Sequence, residues 1–369
     1  MIYFDHNATT PVDNRVLEAM LPFLKMFYGN PSSLYRHGRL VRSAIDTARE
    51  QVAAMVGAQP NQVIFTSGGT ESNNLALAAI KPNSTLAISA IEHPSIGEPA
   101  EQLARQGHEL KLIDVDCNGL IIQHAIDEII LQKPALVSIM LANNETGVIQ
   151  DVGRYARQLS NKGIIMHTDA VQALGKIPVD FKQLGVNMMS LSSHKIYGPK
   201  ACGALIFGKE VSLRPILLGG GQEQGFRAGT ENAPAIIGFG KAAELAALEL
   251  AQRAEHLLSL RKILEDRLMA IPGLSIFAKT AERLPNTVQF GIAGMDGEML
   301  LMRLDQKDIA VSSGSACASG GGKPSPVLAA MGVTAELAKS AIRVSLGKAN
   351  TEAETIEFTD LLKNLVIPG

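Results

Sequence analysis

The sequence predicts an α/β protein, with a mainly parallel sheet in a large domain and a smaller α+β domain. The chain has 369 residues and 46% hydrophobic residues, which is enough to bury a sizeable core and to form two domains. Short apolar runs alternate with segments of helical periodicity through the first two thirds of the sequence. Strands joined by helices of that length imply right-handed crossovers, so most of the strands should run parallel.

The elements of the predicted large domain follow from this alternation. The short apolar runs predict strands at 63–66, 85–89, 109–115, 135–141, 164–169, 188–192 and 204–207. Helical periodicity occurs between the earlier strands, at 71–80, 96–105, 122–131 and 152–160. Before the sheet, 34–56 is predicted as a long amphipathic helix that ends at Gly57.

The last third of the sequence has shorter elements. Residues 234–271 are rich in Ala, Leu and Glu and are predicted as one helix long enough to connect two domains. Shorter elements follow, with strands near 274–277, 287–290 and 342–346 and helices near 298–304, 326–331 and 352–365. We predict a large domain over 15–235 and a small domain formed by 1–14 and 236–369, which carries a mobile loop over 312–325.

Composition excludes several classes of protein. The net charge of −2 comes from 34 basic and 36 acidic residues that are mixed along the chain, so no basic surface for nucleic acid or an anionic membrane is predicted. The first residues lack a signal-peptide pattern, and no apolar run approaches 18 residues, which predicts a cytoplasmic protein without a membrane span. Three scattered cysteines and eight histidines without ligand spacing predict neither a disulfide framework nor a resident metal.

Polar segments follow several of the predicted strands, where ligands collect in open α/β sheets. TSGGTESNN at 66–74 joins a strand end to a helix start through glycines and fits either a phosphate site or an ordinary capped turn. His93 in AIEHPS is either a surface-loop residue or a catalytic one. ANNETG at 142–147 is a weak indication of a binding loop.

Two further strand ends carry charged side chains. Asp169 in HTDAVQ would be a buried carboxylate in need of a cationic partner. Lys195 in SLSSHKIYGPKACG follows a strand directly, where it is either a surface lysine or an amine in chemical use. A phosphate cradle, a strand-end carboxylate and a strand-end lysine are what a protein supplies to pyridoxal phosphate (PLP), so together these segments predict a PLP site.

One cysteine lies in the stretch SSGSACASGGGKPS at 312–325. Small residues surround Cys317 and offer almost no apolar side chain larger than alanine, so this stretch packs no core. The thiol is therefore either incidental or reactive.

A series of motifs extends from Asp5 to Gly347 and covers nearly the whole chain: DHNATTP, YGNPSS, TSGGTESNN, EHPS, NNETG, HTDAVQ, SSHKIYGPKACGAL, GGGQEQGFRAGTEN, SSGSACASG and IRVSLG. In this order and combination the chain resembles the cysteine desulfurases of the NifS/IscS type, within the class-V aminotransferase family, and SSGSAC is similar to the loop of their long-loop group. The resemblance implies a PLP-dependent transferase of fold type I, the aspartate aminotransferase-like fold. It also implies a homodimer.

The resemblance implies PLP-binding roles for the following residues: Gly69, Thr70, His93, Asn144, Asp169, Gln172, Ser192, His194, Lys195 and Thr230. Lys195 would form the Schiff base, Asp169 would pair with the pyridine nitrogen, and Gln172 would donate to the phenolic oxygen. His93 would stack on the ring and move protons. Thr230 would reach the phosphate bound by the other subunit.

The resemblance also implies the reaction, in which L-cysteine is converted to L-alanine. Arg343 would bind the substrate carboxylate, a task suited to a guanidinium, with Asn30 and Asn144 assisting. Cys317 would accept the sulfur as a persulfide and pass it to an acceptor protein for iron–sulfur cluster assembly or another thiolation. Cys317 is also considered as a transient ligand of an iron–sulfur cluster.

Two alternatives remain at this point. Another class-V enzyme, such as a selenocysteine lyase or an aminotransferase, would share Lys195, Asp169 and the phosphate cradle, because a fold and a cofactor do not fix the reaction. An inactive scaffold or sulfur carrier would be expected to lack Lys195 or Arg343, and both are present. Cys317 distinguishes the desulfurase from the other class-V enzymes.

Overall fold

The structure is a computed structural model that describes residues 1–313 and 324–366. The strands of the described residues are β1 (Ile2–Tyr3), β2 (Val63–Thr66), β3 (Thr85–Ser89), β4 (Glu109–Ile113), β5 (Leu136–Ser138), β6 (Ile165–Asp169), β7 (Met188–Ser192), β8 (Gly203–Phe207), β9 (Leu274–Ile276), β10 (Thr287–Ile292), β11 (Ile309–Ala310) and β12 (Ile342–Ser345). The α-helices in the same residues are α1 (Asn14–Lys25), α2 (Arg36–Met55), α3 (Gly69–Leu77), α4 (Pro94–Arg105), α5 (Gln123–Gln132), α6 (Val152–Ser160), α7 (Phe181–Leu184), α8 (Ala233–Leu248), α9 (Leu250–Leu268), α10 (Gly297–Asp305), α11 (Pro326–Ala330), α12 (Ala335–Lys339) and α13 (Glu352–Val366).

The large sheet has seven strands in the spatial order β2-β8-β7-β6-β5-β3-β4. The pairs from β4 through β7 are parallel, whereas β8 pairs antiparallel with both β2 and β7. The predicted mainly parallel sheet is therefore confirmed. Strands β2, β5 and β7 are buried along their whole length, so their serines and threonine lie in the interior together with their apolar residues.

Helices connect the strands as the sequence predicts. Each of α3 to α7 lies between two consecutive strands of the large sheet, and α6 has the predicted limits. Helix α3 begins at Gly69, two residues earlier than predicted, because Gly68 takes a backbone φ of +153° that only glycine adopts easily. Helix α4 begins after His93, which acts as its N-cap.

The single helix predicted over 234–271 is wrong, because the structure has two helices there, α8 and α9. The break falls at Glu249, whose backbone (φ −100°, ψ 3°) leaves helical geometry. The Glu249 carboxylate accepts hydrogen bonds from Arg15 at 2.6 Å and from Arg253. No Gly or Pro marks the site in the sequence, so periodicity alone gave no sign of a break that depends on tertiary contacts.

A smaller set of strands is formed by the two ends of the chain. Strands β12, β10 and β9 make an antiparallel sheet in that order, and β1 pairs parallel with β11. Buried residues of α8 belong to the same hydrophobic cluster as those of α2 and the large sheet, whereas buried residues of α9 and α13 belong to a second cluster with β10 and β12. The domain limits expected from the sequence stay a prediction.

Two of the three cysteines lie among the described residues. Cys202 is buried, and burial raises the pKa of its thiol, whereas Cys117 is exposed. In the described ranges, no helix has both the length and the apolar character needed to cross a membrane.

Candidate active site

Several of the residues predicted for the site follow strands that end at one edge of the large sheet. Asp169 ends β6, Ser192 ends the adjacent parallel strand β7, and Thr66 ends β2. The polypeptide then turns into α3 after β2 and into α4 after β3. Since the carboxyl ends of parallel strands share an edge, the sheet topology itself gathers these polar groups.

Asp169 is a buried carboxylate, with 6% of the residue exposed. Its Oδ2 accepts a hydrogen bond from Asn73 Nδ2 at 2.7 Å, and its Oδ1 accepts one from the backbone N–H of Val171 at 2.9 Å. Neither donor carries a positive charge. A buried carboxylate held by neutral donors is suited to a cationic partner such as a protonated pyridine nitrogen.

His93 is connected to Asp169 through a chain of hydrogen bonds. Asn73 Nδ2 donates to Ser95 Oγ at 2.8 Å as well as to Asp169, and Ser95 Oγ lies 2.7 Å from His93 Nδ1. The backbone N–H of Ser95 also donates to His93 Nδ1, at 3.1 Å. Nδ1 is therefore the acceptor nitrogen, which leaves the ring proton on Nε2.

Burial lowers the pKa of His93, and the positive charge of Lys195 acts in the same direction against an opposing effect of Asp169. The imidazole is accordingly neutral around pH 7.

Lys195 ends a short 3-10 helix, Ser193–Lys195, that follows β7 directly. Its Nζ donates to the carbonyl oxygens of Asn7 at 2.5 Å and Ala8 at 2.8 Å. Gln172 Nε2 donates to the same Asn7 oxygen at 2.9 Å. The two predicted cofactor contacts, the amine and the amide, thus share one acceptor.

The predicted phosphate cradle has the features that an anion site needs. The α3 N-terminus points free backbone N–H groups outward, and a Cβ on Gly69 would lie 3.7 Å from the Ser192 Cβ, so the helix start lies against the end of β7. Ser192 Oγ is buried and has no hydrogen-bond partner among the described residues. His194 Nδ1 contacts Thr9 Oγ1 at 3.1 Å, and burial together with Lys195 lowers the His194 pKa to about 4.

Arg343 on β12 is a buried guanidinium, with 3% of the residue exposed. Its Nη2 forms an ion pair with Asp5 at 2.6 Å, and its Nη1 donates to the backbone oxygen of Asn144 at 3.1 Å. Its Nε is buried and has no partner in the described part of the chain. The guanidinium is held in place by these two contacts, and its Nε–H has no partner among the described residues.

Both ends of the 312–325 stretch are attached near Arg343. The backbones of Ser312 and Arg343 exchange two hydrogen bonds, at 3.1 and 2.6 Å. At the other end, Ser325 Oγ donates to the buried carboxylate of Glu145 at 2.6 Å. Burial raises the pKa of Glu145. Cys317 itself lies outside the described residues.

Within the part of the chain that the structure describes, Asn30 and Thr230 form no hydrogen bond with this cluster. Both are exposed, and the Asn30 side chain accepts a hydrogen bond from the nearby Ser32 backbone N–H at 2.9 Å. Asn144 meets the cluster through its backbone oxygen, which Asn7 Nδ2 and Arg343 contact.

The sequence reasoning missed several polar residues of the site. Asn7, Asn73 and Lys176 are buried and bond directly to predicted site residues. Asn7 lies in the motif DHNATTP, for which the sequence predicts no contact with the cofactor or the substrate. A lysine in the apolar run ALGKI was a usable sign, because lysine is rarely buried without a partner.

Comparison with known proteins agrees with this geometry. The family model described as aminotransferase class-V matches residues 2–358. The chain belongs to the class-V aminotransferase family. Within this family, a protein named cysteine desulfurase from Trichormus azollae is 41% identical over 99% of this chain and 93% of its own length.

Solved class-V structures are similar over almost the whole chain. A NifS-like protein from Rickettsia africae is 35% identical, with a TM-score of 0.91 and 99% of each chain covered. A structure described as SspA in complex with cysteine is 30% identical, with a TM-score of 0.83, and covers 95% of this chain and all of its own. The predicted fold type I and the predicted membership among the cysteine desulfurases are confirmed.

Proposed function

We propose that this class-V enzyme is a PLP-dependent cysteine desulfurase that converts L-cysteine to L-alanine and leaves a persulfide on Cys317. The observation that carries the proposal is the double backbone hydrogen bond between Arg343 and Ser312. It places the start of the cysteine-bearing stretch beside the candidate carboxylate-binding guanidinium. Asp5 and Asn144, which hold that guanidinium, adjoin the segment that contacts Lys195.

The described residues fit PLP. The α3 N-terminus, Ser192 and His194 would hold the phosphate, Asp169 the ring nitrogen and Gln172 the phenolic oxygen. Asp169 has only neutral donors and Ser192 Oγ has no partner in the described ranges, as expected for groups that await a ligand. When bound, PLP supplies an electron sink for bond breaking at the substrate's carbon atoms.

The remaining steps, which are substrate binding and proton transfer, are assigned to side chains of this chain. Arg343, whose Nε has no partner in the described ranges, binds the substrate carboxylate. The assistance of Asn30 and Asn144 stays a prediction. Lys195 takes the proton from the substrate α-carbon. His93 accepts hydrogen bonds from Ser95 at Nδ1 and is neutral, so we assign its Nε2 N–H the role of hydrogen-bond donor to the reacting groups.

In the sulfur-transfer reaction, L-cysteine and a thiol are converted to L-alanine and a persulfide. The ionised Cys317 sulfur forms a bond to the substrate sulfur while the carbon–sulfur bond breaks. The electron pair of the broken bond stays with carbon, which is then protonated to give alanine. An acceptor protein next takes the terminal sulfur, for iron–sulfur cluster assembly or another thiolation.

A homodimer completes the site in this proposal. Thr230, exposed in the single chain, would contact the phosphate held by the other subunit. Leu217 and Leu218 are exposed apolar residues in the segment that leads to Thr230. Tyr28 and Leu34 are also exposed, and in sequence they flank Ser32, which lines a cleft together with residues 221–224. Such exposed apolar residues are expected at a subunit interface.

Replacing the thiol tests the reaction. Cys317→Ala should bind PLP and change its absorbance on adding cysteine but form no persulfide and no alanine above background. Cys117→Ala, which removes the exposed cysteine elsewhere, should behave like wild type. Full conversion of cysteine to alanine by Cys317→Ala would contradict the persulfide mechanism and favour the alternative of a selenocysteine lyase.

Replacing the amine tests the cofactor role. Lys195→Ala should lose turnover and should no longer release alanine, because its amine both holds PLP and moves the α-proton. Normal turnover by this variant, measured as alanine formed per subunit, would rule out the proposed site.

A further inference from the structure

A second lysine, Lys176, is buried next to the proposed PLP site and has no part in the function described above. Only 6% of the residue is exposed. In the described ranges it has no carboxylate within ion-pair distance; its Nζ donates instead to two amide oxygens, Asn7 Oδ1 and Gln172 Oε1, each at 2.8 Å. Burying an amine this way is costly, so its location calls for a specific role.

The first partner of Lys176 is the amide that is proposed to contact PLP. A glutamine amide has an acceptor end and a donor end, and a half-turn of the group exchanges them. Gln172 points its Oε1 at Lys176 and its Nε2 at the Asn7 carbonyl oxygen, an atom that can only accept. The amine and the carbonyl together fix one of the two orientations.

The second partner, Asn7, connects Lys176 to the rest of the site. Its Oδ1 accepts from Lys176 and from Asn286 Nδ2, and its Nδ2 donates to Thr287 Oγ1 and to the Asn144 carbonyl oxygen. Its own carbonyl oxygen accepts from Lys195 and Gln172. Every polar group of the Asn7 side chain is paired, so Lys176 contacts both the Asn7 amide and the Gln172 amide, and Gln172 shares the Asn7 carbonyl oxygen with Lys195.

We propose that Lys176 is a positioning residue, which holds the Gln172 amide with its N–H2 group toward Lys195 so that this donor is preset for the phenolic oxygen of PLP. The inference rests on the proposed PLP site. Lys176 acts through Gln172 and touches neither substrate nor the reacting atoms. Burial, Lys195 and Arg343 keep the Lys176 pKa well below its usual range, which agrees with an amine placed for hydrogen bonding.

The test is a double-variant cycle read from the absorbance of bound PLP as a function of pH. A donor to the phenolic oxygen stabilises the deprotonated chromophore, so Gln172→Met should raise the midpoint pH by about 1 to 2 units, the value of one hydrogen bond to a charged group. Lys176→Met should raise the midpoint in the same direction, and the double variant should show no larger shift than Gln172→Met alone. Lys182→Met, the same change at an exposed lysine, should leave the midpoint unchanged.

Each other outcome overturns the proposal. An unchanged midpoint in Lys176→Met, with a lower melting temperature of the apoprotein, would show that Lys176 only supports the fold. Additive shifts in the double variant would show that Lys176 acts by its charge and not through Gln172. If Lys176→Met does not fold, Lys176→Gln decides, because it keeps an N–H2 donor: a near-wild-type midpoint supports positioning and a shift as large as that of Gln172→Met contradicts it.

The proposed desulfurase function is tested by results that differ from those that test the role of Lys176. A wild-type protein that binds no PLP or forms no alanine from cysteine would refute the desulfurase. The positioning role of Lys176 is refuted only when the wild type shows the absorbance transition and the Lys176 variants do not alter it as described.

Discussion

At the scale of single residues, the site combines a buried carboxylate that has neutral donors with a buried guanidinium whose Nε has no partner in the described residues. Asp169 is held by Asn73 and a backbone N–H, and Arg343 is held by Asp5 and the Asn144 carbonyl. Each charged group is therefore oriented before any ligand arrives. Preorganised charges of this kind lower the cost of ordering on binding.

Asp169→Asn should weaken PLP binding by about 30-fold or more, because removing one partner of a buried charge pair costs roughly 2–5 kcal/mol. The apoprotein should melt at the wild-type temperature or above, since the variant removes a buried charge that has only neutral donors. Titration of the apoprotein with PLP checks the affinity. Asp266→Asn, at an exposed position of α9, is the control, and equal PLP affinity in the two variants would contradict the role of Asp169.

Arg343→Lys should raise the KM for cysteine about tenfold or more while leaving the absorbance of bound PLP unchanged. A lysine keeps the positive charge but cannot contact Asp5, the Asn144 carbonyl and a substrate carboxylate at once with a rigid planar group. Steady-state alanine formation at varied cysteine measures the effect. A KM within twofold of wild type would show that another group binds the carboxylate.

At the scale of elements, one histidine connects three adjacent strands of the large sheet through side-chain hydrogen bonds. His167 on β6 is fully buried; its Nδ1 lies 2.9 Å from Ser138 Oγ on β5, and its Nε2 lies 2.9 Å from Ser190 Oγ on β7. Burial lowers the His167 pKa to about 3. The strands that end at Asp169 and Ser192 are thus fixed relative to each other by an imidazole that must stay neutral.

The His167 linkage predicts a specific loss of stability in acid. The unfolded histidine titrates near pH 6.5 and the folded one near 3, so between these values the unfolded state binds more protons and stability falls as the pH falls. The loss from His167 should approach about 1.4 kcal/mol per pH unit in this window. Urea unfolding of wild type and His167→Gln at several pH values checks it: the variant should lose less stability, and parallel profiles would be the contradicting result.

The sequence predicted the elements that carry strong local signals and failed where distant contacts decide. Strand β7, in which three of five residues are apolar, was predicted with correct limits, as were the strand-end positions of Asp169 and Lys195. The break at Glu249 depends on Arg15, which lies 234 residues away in the sequence. The bonds of Asn7 to Lys195 and Gln172 likewise join segments more than 160 residues apart, and no local pattern encodes such pairs.

At the scale of the whole molecule, the exposed apolar residues near Thr230 predict the association of two chains. Leu218 is 85% exposed in the single chain, in the segment that leads to Thr230. If Thr230 completes the partner's phosphate site, association and PLP binding must be coupled, because a separated subunit lacks one contact.

Leu218→Glu should shift the mass in solution from twice 39.3 kDa toward 39.3 kDa, since a charge at the centre of an apolar interface is poorly tolerated. PLP affinity should fall together with the dimer. Light scattering over a concentration series measures the first effect and PLP titration the second. Leu131→Glu, at a leucine that is 81% exposed on α5, should leave both unchanged, and a Leu218→Glu protein that stays dimeric with wild-type affinity would refute the interface.

The position of Asn7 has a consequence for synthesis on the ribosome. Its backbone N–H donates to Ser345 Oγ, 338 residues later, and β1 needs β11 as its partner. At roughly 5–20 residues per second, the segment that contacts Lys195 and Gln172 waits on the order of 20 to 70 seconds for Ser345 to be made. The large sheet can assemble during that time, but the contact between Asn7 and Ser345 forms only after Ser345 has been made, so PLP cannot find a finished site before then.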